Sequence, residues 1–212
     1  MMRRALQGLL LAAAILSFRI PQAHATSLAA FTQDQMVDAS TYIVRGKVVD
    51  VWTEEDDHGT VWTRAGVEVS RTLKGPDNPD YLVVDAHGGA VGDLTERVPS
   101  AARFAEGEDV LLFLTPIDFG RRLTPVGMFL GKFTIRRAPG DTRKIAQRFT
   151  STDPTYRPQF LPYPKQADRV YVNDLVGQVE HRLAQGWDGK TFPGLTDAQL
   201  RVINTPERRK VR

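Results

Sequence analysis

The stretch DAHGGAVGD, residues 85–93, gathers the residue types in this chain most capable of chemistry. Asp85 and Asp93 offer carboxylate oxygens and His87 an imidazole, all of them ligands for zinc or calcium. A four-coordinate zinc site needs more ligands, and past residue 25 the other histidines, His58 and His181, stand at unrelated positions. An EF-type calcium loop would need a stricter run of oxygens ending in a bidentate Glu, which is missing. Nor does Lys-Ser/Thr follow the glycines, so the run is not a phosphate loop. The reading adopted is a turn: Asp85 and His87 end a strand, and Gly88, Gly89 and Gly92 supply positive-φ positions. The stretch remains the first place to look for a binding rim, with no metal and no cofactor expected.

Two further groups invite chemistry. Glu54, Glu55, Asp56, Asp57 and His58 form an acidic cluster that could hold a cation or a basic partner. A solvated hairpin tip whose charges keep a long hairpin soluble accounts for them equally simply, and is the reading preferred. Trp52 and Trp62 flank that tip. Stacking on bases or sugars and aromatic packing across the hairpin both fit them. Catalysis has little support, because the chain holds no G-x-S-x-G, no H-E-x-x-H and no nucleophile–base pair recognisable by spacing. Glu106, Glu108 and Asp109 stand together but read as a turn before an apolar strand. The candidate binding residues are therefore Trp52, Trp62, His58, Asp85, His87 and Asp93, and the catalytic set is empty.

The elements that must position these residues are mostly strands. Residues 31–40 suggest a short helix, with Thr32 and Gln35 at capping-box spacing. Residues 42–52 are β-branched and aromatic, and Gly46 within them suggests a bulge. Residues 61–73 alternate, with Val61, Ala65, Val67, Val69 and Leu73 on one face and Trp62, Arg64, Glu68 and Ser70 on the other. Together the two segments read as a long hairpin. Strands follow at 81–86, 110–116, 122–129 and 131–137; the continuous apolar run VLLFLTP marks the fourth as central. Five or six such strands suggest a small closed antiparallel barrel, mainly β. Past residue 138 four prolines in 151–165 indicate a surface linker, then 167–186 carries helical periodicity and 197–204 a last short helix before a basic tail.

The first 25 residues have the form of a secretory signal peptide: Arg3 and Arg4, an apolar core from Leu9 to Leu16, and Ala23-His24-Ala25 before a cut at Thr26. The apolar run is shorter than the roughly 20 residues a bilayer needs, so no membrane span is expected after cleavage. The expected location is the periplasm or the medium. The chain has no Cys, which excludes disulfides and a lipid-modified cysteine. Without the three arginines of that segment, 25 basic residues face 25 acidic ones. A neutral total speaks against a general nucleic-acid binder. The charge is polarised, with 9 basic and 17 acidic residues in 26–131 against 16 and 8 in 132–212.

Several strings in order add a resemblance: STYIVRGKVVDV at the first strand, RTLKG ending the second, HGG after the third, FAEGEDVLLFL at the fourth and GMFLGKFTI closing the set. This order resembles a group of uncharacterised exported bacterial proteins. More distantly it is similar to the netrin-like (NTR) domain of the tissue inhibitors of metalloproteinases. The resemblance spans about residues 38–137 and implies an OB-fold barrel. Those inhibitors place an N-terminal Cys on a target's zinc; a chain without Cys cannot use that route. The expected organisation is a signal peptide (1–25), an OB/NTR-like barrel (26–137), a Pro-rich linker (138–166) and a C-terminal helical extension (167–212). The expected function is a non-enzymatic binding or accessory module whose partner is a protein or a cell-envelope polymer. The alternatives are an inhibitor of an exported metalloprotease and a small hydrolase with an unrecognised site.

Overall fold

A computed structural model of the chain describes residues 32–98, 100–137, 140–148 and 169–186. The signal-peptide segment, Thr26, most of the Pro-rich stretch, the last short helix and the basic tail lie outside the described residues. Helix α1 (Gln33–Ala39) opens with Thr32 as N-cap, and the reciprocal bonds to Gln35 complete the capping box. Strands β1 (Tyr42–Glu55) and β2 (Val61–Lys74) form the long hairpin. They are followed by β3 (Tyr81–His87), β4 (Gly89–Val91), β5 (Leu94–Glu96), β6 (Asp109–Ile117), β7 (Arg122–Pro125) and β8 (Lys132–Arg137). Then come β9 (Lys144–Arg148), β10 (Arg169–Tyr171) and helix α2 (Val172–Ala184). No helix among the described residues is long and apolar enough to cross a membrane.

Eight strands make one antiparallel sheet in the order β10-β9-β8-β6-β1-β2-β3, with β7 paired to the second half of β6. The sheet curls until β3 comes to lie against β7, giving the mainly β, barrel-like fold expected. Curling needs irregularity. β1 supplies it with three register shifts against β2, one of them at Arg45/Gly46. A Cβ on Gly46 would stand 2.3 Å from the carbonyl oxygen of Glu68, so only glycine admits that approach. β3 and β7 share no strand ladder; the Leu123 N–H donates instead to Oδ2 of Asp85 at 3.4 Å. The barrel thus keeps a seam.

The central strand is apolar from Val110 to Leu114 because both of its faces are buried there. Val110, Leu112 and Leu114 join Val44, Val48, Ala65, Val67, Leu82 and Val84 inside the curl. Leu111 and Phe113 point the other way, against Met36 and Val37 of α1 and Val172, Leu175, Val176 and Val179 of α2. The C-terminal helix is therefore part of the fold. Arg182 grips Asp38 of α1 with two hydrogen bonds, at 2.6 and 2.9 Å, and Lys74 Nζ donates 2.6 Å to the Val37 carbonyl at the end of α1. Two details depart from the sequence reading. Residues 144–148, assigned there to the linker, form β9 against β8, and the stretch read as helix from 167 begins with β10 before α2 starts at Val172. Both strands are short and flanked by charge, so each gains its backbone partners from a neighbour that local periodicity does not reveal.

Candidate functional site

Register brings four of the six candidate residues together. Across β1, β2 and β3, Trp52 stands opposite Arg64 and Arg64 opposite Asp85; in the next row Glu54 faces Trp62 and Trp62 faces His87. Paired residues share a face, and here it is the face away from the Ala65 and Val67 that fill the barrel. The two tryptophans sit opposite Arg64 and Glu54, not opposite each other. His58 lies exposed at the hairpin tip and Asp93 exposed in the β4–β5 turn. The Asp85, His87 and Asp93 set therefore does not converge.

Asp85 has no exposed surface, although its place on an outward face marks it for solvent. Its Oδ1 lies 2.8 Å from Nε of Arg64 and 3.6 Å from Nη1 of Arg122 on β7. Neither of those nitrogens makes a well-aligned hydrogen bond there, so the attraction is chiefly coulombic. Arg64 also pairs with Glu54 at 2.8 Å, and Arg122 reaches Asp56 at 3.4 Å and Asp118 at 4.0 Å. Two guanidinium groups thus face four carboxylates. Burying such charges stabilises little in net terms, whereas removing one partner strands the rest. The cluster fixes where β7 sits against β3.

Trp62 is 5 % exposed, with its ring covered by the Arg122 guanidinium 4.2 Å from the centroid and by His87 at 3.9 Å. It offers no open face for a base or a sugar, so of the two readings a packing role fits Trp62. Its indole N–H donates 2.8 Å to Asp56. That carboxylate also accepts from the backbone N–H groups of His58 and Thr60. The Trp62 bond foremost, then those backbone bonds, hold the Asp56 pKa down to about 2. The acidic tip is therefore an organised turn around Asp56, not only a solvated one. Burial lowers the pKa of His87 below its ordinary value, with Glu96 opposing that shift and Arg122 adding to it.

Gly88, Gly89 and Gly92 all adopt positive φ, at 85°, 144° and 55°. They let the chain turn from β3 into the small β4–β5 hairpin, which folds back on the β1–β2 hairpin. Thr63 Oγ1 donates to the Gly88 carbonyl at 2.7 Å and Thr53 Oγ1 to that of Ala90 at 2.5 Å. A Cβ on Gly89 would stand 2.7 Å from Thr53 and 2.8 Å from Thr63. The glycines serve the backbone.

The seam between β3 and β7 opens into a cleft of about 320 Å³, lined among others by Asp85, His87, Ala102, Thr115, Ile117 and Met128. A second hollow of about 450 Å³ lies between the β4–β5 hairpin and residues 97–98 and 101–104, and shares His87, Ala101 and Ala102 with the first. Among the described residues, the non-glycine ones with left-handed backbone, Asp118, Phe119 and Met128, all stand at this end. Met128 lines the cleft, and Asp118 and Phe119 directly follow Ile117. Each such residue costs about 1–2 kcal/mol, and strain of this kind concentrates where a surface is used. The turn carries Phe119 outward at 88 % exposure; the other exposed large apolar side chain among the described residues, Leu94, reaches 44 %. Sequence reasoning named no role for Arg122 or Phe119 and left Arg64 and Asp56 out of the candidate set, although it placed Arg64 on the polar face of an alternating strand and Asp56 in the acidic tip. Searches against protein-family models and against curated proteins match nothing to this chain.

Proposed function

We propose that this protein is an exported, non-enzymatic binding or accessory module of netrin-like type that engages a protein or a cell-envelope polymer at the β3–β7 seam. The observation that carries the reading is the construction of that end. Its ionisable groups are engaged with one another around buried Asp85, while beside them lie a concave, mostly apolar cleft and the exposed ring of Phe119. Charges committed to holding a rim suit recognition better than proton transfer. Export rests on the composition of residues 1–25, and the netrin-like kinship on the ordered strings of residues 38–137, with which the curled sheet agrees.

Affinity capture from cell-envelope fractions tests the reading. The wild type should retain a component at low salt that an Ala102→Trp variant, with the shared wall of both hollows filled, no longer retains. Elution of the wild type alone, or equal retention by the variant, would remove it. Inhibition of an exported metalloprotease by purified protein would favour the inhibitor reading in its place.

A further inference from the structure

We infer that Met128 is a reversible oxidation site, at which a peroxide converts the thioether to one sulfoxide epimer and makes the wall of the β3–β7 cleft polar. The effect on recognition rests on the reading of the seam as the binding face; the chemistry does not. Past residue 25 the chain holds two methionines, and they occupy opposite surroundings. Met36 has no exposed surface and lies in the core between the sheet and the helices. Met128 is partly exposed and lines the cleft with Ala102, Ile117 and Pro125. Thioether oxidation follows exposure, so a small oxidant entering the cleft meets Met128, while Met36 waits on opening of the core.

The surroundings hold the sulfur in place. Met128 has left-handed backbone at φ 64°, and the N–H of Phe129 donates 3.1 Å to the Ser100 carbonyl. The hydroxyl of buried Ser100 in turn donates 3.1 Å to the Met128 sulfur. Backbone and side chain thus tie the Met128 turn to the segment whose next residues, Ala101 and Ala102, line the same cleft. A thioether sulfur carries two lone pairs. With one held by the Ser100 hydroxyl, the other is left for the oxidant. That pair attacks one peroxide oxygen and the O–O bond breaks. The departing hydroxide takes the proton of the transferred oxygen and leaves as water, so sulfur loses the two electrons that the peroxide gains. The product is polar and chiral where the wall was apolar, and a sulfoxide reductase, with a dithiol as electron donor, returns it to the thioether.

Mass-spectrometric peptide mapping of the purified full chain, treated with graded hydrogen peroxide, tests this. Met128 should convert at least about tenfold faster than Met36, whose oxidation needs the core to open. Digests of the oxidised chain are then treated with two reductases, each specific for one sulfoxide epimer. One should restore nearly all of the Met128 peptide and the other almost none, whereas after Ser100→Ala each should restore about half. Equal conversion of the two methionines, or an even epimer mixture in the wild type, overturns the inference. Should Ser100→Ala misfold, the two wild-type measurements still decide. Capture from envelope fractions supplies the other arm. Full conversion at Met128 should abolish capture and reductase treatment restore it; capture that conversion leaves unchanged overturns the effect on the cleft. A chain oxidised selectively at Met128 that captures nothing in either form removes the binding-module reading and leaves the oxidation site standing.

Discussion

Two regions on the outside of the curled sheet are buried with opposite materials. On the helix side, Leu111 and Phe113 meet Met36, Leu175 and Val179 in a contact that is almost entirely hydrocarbon. At the seam, an aspartate with no exposed surface is enclosed by Arg64 and Arg122, and Trp62 lies between a guanidinium and an imidazole. An apolar contact of the first kind stabilises in proportion to the area buried and is non-directional. An ionic cluster of the second kind adds little net stability, and holds its members to one geometry. The helix side keeps the sheet folded. The seam keeps two strands apart at a set distance, without a backbone ladder, and so maintains a cleft.

That contrast can be broken from either side. Phe113→Ala should cost about 3–5 kcal/mol in denaturant unfolding while leaving envelope capture by the folded fraction intact. Asp85→Ala should cost about as much, because it leaves two guanidinium groups without their buried counter-charge. The informative variant combines Asp85→Leu, Arg64→Met and Arg122→Met. It should regain most of the lost stability and still fail to capture a partner, since the rim no longer has its fixed geometry. A triple variant as unstable as Asp85→Ala would show that the ionic cluster itself stabilises the fold.

Proton linkage gives a smaller effect. Burial favours the neutral ring of His87 in the folded state, so its contribution to stability is complete above the ordinary histidine value of 6.5. It is lost as pH falls through the lower folded value. For Asp56, held to about 2 against the ordinary 3.8, the contribution is complete above 3.8 and fades as pH drops through about 2. NMR titration should place the His87 midpoint below 6.5; a midpoint at or above it would contradict the ring's stacking on Trp62. Smallest of all, Glu180→Gln removes a pair with Arg71 whose side chains are 50 % and 55 % exposed, and should change stability by less than about 1 kcal/mol.

The strands were legible because each follows a period that one segment can display. Alternation in β2, the doubly apolar β6 and the glycine at the β1 bulge all correspond to what the structure contains. The positive φ of Gly88, Gly89 and Gly92 was legible for the same local reason. The site was legible only in part. Trp52, Trp62, Asp85 and His87 could be named from residue type, but the burial of Asp85 comes from Arg122, 37 positions further on, and from the curl that brings β7 to β3. Long-range closure leaves no mark in a local pattern. His58 and Asp93 were drawn in by their chemistry and lie apart from the other four, at two exposed turns. The strands β9 and β10 escaped notice because short, charged segments show no alternation until a neighbour pairs with them.

The central claim is that this molecule meets its partners at the seam and not on the face covered by α2. Photo-crosslinking in intact exporting cells tests it, with a photoreactive phenylalanine analogue placed at Phe119 in one variant and at Glu180, on the exposed side of α2, in another. The expected result is an adduct from position 119 to an envelope component, and none from position 180. Adducts of equal strength from both positions, or from 180 alone, would contradict it.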